Sequence, residues 1–342
     1  MRVMVTGGTG FLGSHTCRAL RAAGHEMRLL VRNPDKMRTV LSAMEQGDPD
    51  LELSPHVVGD ISDHRSVEQA LEGCDAAIHM AGLVSLKGTT AEALVRTNTE
   101  GTTTVLEAAV DHGCRRIIHV SSSSALFPFQ TDPVTSDHPI GSMKSGYGRS
   151  KAGAEAIARD LQIAGAPLTI VYPTGIIGPQ APELNEMLSA AQLWAAKLVP
   201  ASDEMKIGMV DVRDVADIIV AALEPGAGWR RYLAWGHVVS TNELGLMLRE
   251  MTGREISMPR LPRAMMQAWG RAGDIAGRFG RDFTMTSEGA AYLYEFVDAD
   301  QTATFDDLGI TYRPLAVSLR DMYRWMHDEG YVTADQIGRL AA

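Results

Sequence analysis

The chain has 342 residues, 45% of them hydrophobic and 22% charged, and a formal net charge of −10. The length suits about two domains and the composition an ordinary water-soluble globular protein. The acidic balance argues against nucleic acid as the main partner, and no run of about 18 apolar residues offers a transmembrane helix.

The first element begins at once. Val3–Thr6 reads as a strand, with no apolar signal core before it, and Phe11–Ala23 as a helix stopped by Gly24. Between them lies Gly7-Gly8-Thr9-Gly10-Phe11-Leu12-Gly13. Glycines at 7, 10 and 13 permit a tight turn and let backbone approach a pyrophosphate. The helix start then supplies N–H groups and partial positive charge. Glu26–Val31 is the second strand. Dinucleotide folds that take NAD place an acidic residue about 20 residues after the glycines, to bind the ribose 2′-hydroxyl. Here Val31 holds that position and Arg32 follows, with Lys36 nearby. An arginine suits a 2′-phosphate, so the expected cofactor is NADP(H) rather than NAD(H).

His56–Gly59, Ala76–Met80, Arg116–Ser121 and Leu168–Tyr172 continue as strands, with helices at Arg65–Leu71, Ala91–His112 and Tyr147–Ala164. Strands alternating with helices predict an α/β fold, a Rossmann doubly wound parallel sheet. After Pro173 the rhythm breaks. Leu184–Lys197, Val210–Leu223 and Leu315–Gly330 read as helices, and Ser240-Thr241-Asn242-Glu243 has capping-box spacing for another. The expected division is a dinucleotide-binding core over 1–174, with a return segment about 205–235. A smaller, mostly helical substrate-binding cap takes 175–204 and 236–342.

Cys17, Cys74 and Cys114 are odd in number and far apart, which predicts no disulfide framework and a reducing cytoplasm. The histidines lack metal-ligand spacing, so no metal is expected. Tyr147 and Lys151 stand one helical turn apart, after the serine run Ser121–Ser124. A free tyrosine has a pKa near 10 and is a poor base at neutral pH. A lysine on the same helix face favours the phenolate. A serine hydroxyl can hold a carbonyl oxygen while tyrosine exchanges its proton.

These segments together resemble the extended short-chain dehydrogenase/reductase family, which includes NAD-dependent epimerases and dehydratases. The matching residues are the glycine turn, Gly59-Asp60-Ile61, His79-Met80-Ala81-Gly82, Asn98 in Thr97-Asn98-Thr99-Glu100-Gly101-Thr102, the serine run and Tyr147-x-x-x-Lys151. The resemblance implies an enzyme whose catalytic set is Ser123, Tyr147 and Lys151, with Ser122 or Ser124 replacing Ser123 if the loop is shifted. It implies Asp60 and Ile61 at the adenine, and Ala81, Gly82 and Asn98 lining the cofactor. Phe11, Leu12, Ser121, Pro173 and Ile176 complete the expected cofactor contacts, and Lys151 also reaches the nicotinamide ribose. A homodimer through the helices at Ala91–His112 and Tyr147–Ala164 is implied as well.

Nucleotide-sugar members of that family carry Arg-Pro-x-Asn-x-Tyr-Gly-Pro after the sixth strand, with the Asn on the substrate diphosphate. This chain reads Tyr172-Pro173-Thr174-Gly175-Ile176-Ile177-Gly178-Pro179, with Gly175 at the Asn position. An Arg-Asp-x-x-His segment is also replaced, by Ile207-Gly208-Met209-Val210-Asp211. The run is closer to dihydroflavonol-reductase-like and 3β-hydroxysteroid-dehydrogenase-like members. The expected function is therefore NADP-dependent reduction of a carbonyl, or oxidation of the alcohol, in a small to medium, largely apolar substrate. Met187, Leu188, Leu193, Trp194, Met265, Met266 and Trp269 are candidates for an apolar pocket. The competing readings are a nucleotide-sugar epimerase or dehydratase, and a non-catalytic NADP-binding regulator, against which the Tyr147–Lys151 pair argues.

Overall fold

The computed structural model describes residues 1–44, 51–83, 90–196, 199–224, 229–278 and 286–341. The first half alternates as the sequence predicts: β1 Arg2–Thr6, α1 Phe11–Ala22, β2 Glu26–Val31, α2 Pro34–Ser42, β3 His56–Val58, α3 His64–Leu71, β4 Ala76–His79, α4 Ala91–Asp111, β5 Arg116–Val120, α5 Gly146–Ile163 and β6 Leu168–Pro173. Helix α2 escaped the sequence reading. Its start is built by Asn33, whose Oδ1 accepts the Asp35 and Lys36 amides at 2.9 and 3.0 Å, with Pro34 in the first turn.

The second half adds β7 Gly175–Ile177, α6 Glu186–Ala196, β8 Lys206–Asp211, α7 Val212–Ala221, β9 Arg230–Ala234, β10 His237–Ser240, α8 Thr241–Thr252, α9 Arg263–Arg278, α10 Ser287–Tyr294, α11 Thr302–Leu308, α12 Leu315–Asp328 and α13 Ala334–Ile337. The helix expected over Val210–Leu223 is corrected here. Residues 206–211 are a strand, with Met209 facing His237 of β10 in antiparallel register and Gly175 of β7 in parallel register. The Asp211 carboxylate accepts the Arg213 amide at 2.9 Å and so starts the helix at Val212. The capping box of α8 forms as expected, and Gly253 closes that helix at φ 68°.

The seven strands of the main sheet run parallel in the order β3-β2-β1-β4-β5-β6-β9. Side chains alternate across such a sheet, so each strand feeds two cores. Val3, Val5, Ile78 and Ile118 meet Cys17 and Leu20 of α1 and Ile218 and Ile219 of α7 on one face. Met4, Ala77, Ile117 and Ile170 meet Leu71 of α3, Val105 of α4 and Ala158 of α5 on the other. A third core joins Leu188 and Trp194 of α6, Leu248 of α8, and Met322 and Met326 of α12. The carboxyl ends of the parallel strands carry the loops discussed next, where open α/β sheets bind ligands. Among the described residues no helix is long and apolar enough to cross a membrane.

Candidate active site

The glycine turn is shaped by steric necessity. Gly7 has φ 78°, and a Cβ there would sit 2.7 Å from the Ala81 amide nitrogen. A Cβ on Gly13 would run into the Gly7 carbonyl. Gly10 donates its amide to the Gly7 carbonyl at 3.0 Å and opens α1 without a side-chain cap. The start of α1 is thus left for an anion. The side chains of Phe11 and Leu12 pack into cores, so what these residues present to the turn is backbone.

Beside this turn lies a cleft of about 300 Å³. Gly7 and Gly10, Arg32 and Lys36, Asp60 and Ile61, and Ala81, Gly82 and Asn98 all border it. The glycine cradle, the helix start and the cleft beside them fit a dinucleotide. Arg32 stands exposed at the rim. Lys36, also at the border, has its ammonium 2.7 Å from the Glu183 carboxylate. Asp60 accepts the Ser62 amide and hydroxyl at 3.0 and 2.8 Å. Ile61 fills the space left by Gly101 of α4.

Asn98 and Ser121 do something the sequence did not show. The Asn98 amide accepts the Leu83 N–H at 2.7 Å, and donates to the Leu83 carbonyl at 2.8 Å and to Ser150 Oγ at 3.0 Å. It braces the loop after β4 against α5. Ser121 donates at 2.7 Å to Glu155, a fully buried carboxylate that also accepts from Tyr172 at 2.5 Å and Arg159 at 2.6 Å. Its hydroxyl therefore faces inward. Pro173 ends β6, and Ile176 in β7 packs against the α1-side core; neither borders the 300 Å³ cleft. A larger cavity of about 920 Å³, between α1, α2 and α12, contains none of the candidate catalytic residues.

The remaining serines sort themselves by hydrogen bonding. Ser122 caps the short turn Ser123–Leu126, accepting the Ser124 amide at 3.2 Å and the Ser124 hydroxyl at 2.8 Å. Ser123 is left over, and its hydroxyl lies 2.7 Å from the Tyr292 phenol of α10. Burial, reinforced by the nearby Tyr147 phenol, raises Tyr292 well above its ordinary pKa. Tyr147 lies in the first turn of α5, which Ser145 caps by accepting the Gly148 amide at 3.1 Å. Lys151 Nζ lies 6.0 Å from the centre of the Tyr147 ring, and 4.0 Å from where a Cβ on Gly82 would stand. The lysine thus stands between the tyrosine ring and Gly82 at the edge of the cleft. Behind it are His79 and His119, stacked at 5.5 Å. Burial, and then the Lys151 charge, push His79 down to about 3, while burial, then His79 and Lys151, push His119 well below its usual value, so both are neutral.

On the substrate side Gly175 has no spare volume. A Cβ there would lie 2.9 Å from the Gly208 carbonyl of β8 and 2.9 Å from Met187. A diphosphate-binding asparagine cannot occupy this position without displacing them. The candidates for an apolar pocket differ in burial. Leu188, Trp194 and Met266 are buried, whereas Leu193, Met265 and Trp269 are exposed. Tyr292, Glu288 and Glu155 were not foreseen.

The Rossmann sheet and the glycine cradle fit an NAD(P)-dependent enzyme of the extended short-chain dehydrogenase/reductase type. The chain belongs to the NAD dependent epimerase/dehydratase family, whose model matches residues 3–232. It is 26% identical to sterol demethylase protein B of Methylococcus capsulatus, over 97% of this chain and 100% of that protein. It is 27% identical to a putative dihydroflavonol 4-reductase of Synechocystis, over 96% and 95%. A UDP-glucose 4-epimerase of Bacillus subtilis is 29% identical over 82% and 88%. Among solved structures, that of gox2253 superposes with a TM-score of 0.79 and 26% identity, covering 97% and 99% of the two chains.

Proposed function

We propose that this protein reduces the carbonyl of a small to medium, largely apolar substrate, or oxidises the corresponding alcohol, with NADP(H) as cofactor. The observation that carries the reading is the placement of Tyr147 and Lys151 on one face of α5, between Gly82 of the cofactor cleft and the Ser123–Tyr292 pair. When bound, the reduced cofactor supplies the hydride. Ser123 donates a hydrogen bond to the carbonyl oxygen. Tyr147 gives its proton to the same oxygen as that oxygen becomes an alkoxide, and Lys151 stabilises the phenolate left behind. Carbonyl, hydride and proton then balance as alcohol. The turn around Gly7, Gly10 and Gly13 would hold the pyrophosphate, and Arg32 the 2′-phosphate. The core of residues 1–174 and about 205–235 would carry the cofactor, and 175–204 with 236–342 would shape the substrate site. The similarity to dihydroflavonol 4-reductase and the filled space at Gly175 support an apolar carbonyl over a nucleotide sugar. A cytoplasmic homodimer, joined through α4 and α5, completes the proposal.

The test is NADPH consumption against a panel of ketones, aldehydes, flavonoid-like and steroid ketones, run beside UDP- and dTDP-sugars. Consumption with an apolar carbonyl, abolished in Tyr147→Phe while NADPH still binds, is the expected result. The epimerase similarity favours the second reading, and conversion of a nucleotide sugar without net cofactor change would establish it instead.

A further inference from the structure

Helix α10 lies in the C-terminal region, 169 residues from Ser123, yet two of its side chains grip the candidate site. Glu288 and Tyr292 are four residues apart and so share one helix face. The Glu288 carboxylate accepts the Lys144 amide at 2.5 Å and the Ser145 amide at 2.9 Å, immediately before the helix that carries Tyr147. Tyr292 meets Ser123 at 2.7 Å, while its ring is wedged among Phe127, Phe129 and Phe296 at 5.1, 6.0 and 5.3 Å. Among the described residues neither the Ser123 nor the Tyr292 hydroxyl has another hydrogen bond.

We propose that Tyr292 is a positioning residue that donates its phenolic hydrogen to Ser123 Oγ, so that the Ser123 proton points to the substrate oxygen, while Glu288 fixes the approach to Tyr147. A hydroxyl has one hydrogen to give. Were Ser123 to donate to Tyr292, none would remain for the carbonyl. With Tyr292 as donor, Ser123 accepts on one side and donates on the other, and the chain of two bonds strengthens itself. The raised Tyr292 keeps its proton throughout the working pH range. The ring is held by aromatic packing, so the hydroxyl is aimed without cost at the moment of reaction. This inference rests on the assignment of Ser123 as the group that binds the carbonyl oxygen.

The test is a double-mutant cycle of Tyr292→Phe with Ser123→Ala, using the full chain and the best ketone from the panel. Phe preserves the ring packing and removes only the hydroxyl. Tyr292→Phe should lower kcat roughly 3- to 10-fold, one net hydrogen bond, and leave the NADPH dissociation constant unchanged. In the Ser123→Ala background it should cost nothing further, because the group it positions is gone. Multiplicative losses, or no loss in the single variant, would overturn the proposal while leaving the role of Ser123 intact. Unchanged turnover in Ser123→Ala alone would overturn both. A second arm needs no turnover: Glu288→Ala in the free protein should speed amide exchange at Lys144 and Ser145 roughly 10- to 100-fold, and unchanged exchange would remove Glu288 from the device.

Discussion

Replacing Glu155 with glutamine tests the buried network behind the site. Glu155 is fully buried and accepts from three donors, Ser121, Arg159 and Tyr172, at 2.7, 2.6 and 2.5 Å. The Arg159 guanidinium, itself largely shielded, also donates to the His138 carbonyl at 2.9 Å. Glutamine keeps the shape but removes the charge, leaving a buried cation without its counter-ion. Its NH₂ group must also face donors. Breaking a buried pair from one side costs about 3–5 kcal/mol. Unfolding entropy of about 2.1 cal/mol/K per residue gives roughly 0.7 kcal/mol/K for this length, so Tm should fall by about 4–7 °C. Differential scanning calorimetry at pH 7 on Glu155→Gln and the parent chain reads this directly. A fall of less than about 1 °C would show that the carboxylate is not what holds β5, α5 and β6 together here.

Four further outcomes are expected. Gly13→Val should abolish NADPH binding in a fluorescence titration, because its Cβ meets the Gly7 carbonyl and the turn must open; retained binding would refute the cradle. Arg32→Ala should weaken NADPH roughly 10- to 100-fold and leave NADH within a factor of two, the size of a lost charge-assisted contact. Gly175→Asn should lose carbonyl reductase activity without gaining turnover of UDP-sugars, since the Gly208 carbonyl and Met187 occupy the space. The buried histidines set an acid limit. His15 and His79 are lowered to about 4 and about 3, mainly by burial, so their stability contribution is full above pH 6.5. It is lost progressively as pH falls from 6.5 towards those folded values, the range in which only the unfolded chain takes up the proton. His119, whose two ring nitrogens have no hydrogen-bond partner among the described residues, behaves likewise. His119→Phe should therefore lower the drop in unfolding free energy between pH 7 and pH 5, and an unchanged drop in chemical denaturation would exclude it.

The first half of the fold was legible because short apolar runs such as Val3–Thr6 and Arg116–Val120 alternate there with longer amphipathic stretches such as Ala91–Asp111. β7, β9 and β10 are three to five residues long and lie after Pro173, where no regular strand-helix alternation flags such short runs. β8 was misread because its apolar residues run directly into those of α7, and the boundary rests on one cap, Asp211. The glycine turn, Tyr147 and Lys151 could be found because the chemistry needs them close together in sequence. Tyr292 and Glu288 could not, since their contacts span 169 and about 144 residues and no local pattern marks them. Asn98 and Ser121 occupy positions the family resemblance assigned to the cofactor. The Asn98 side chain borders the cleft and also braces Leu83, and the Ser121 hydroxyl donates to Glu155, contacts that only three-dimensional hydrogen bonding reveals.

The edge strand β9 has an implication for synthesis. Thr169 through Pro173 of β6 pair with Arg230 through Ala234, so a growing chain that has just emerged past residue 173 exposes an unfinished border. The intervening β7, α6, β8 and α7 must leave the ribosome before that border is covered. Exposed parallel edges are sticky. Slow translation within this stretch would thus prolong the interval in which the nascent protein can pair with a neighbour, and faster codons there would shorten it.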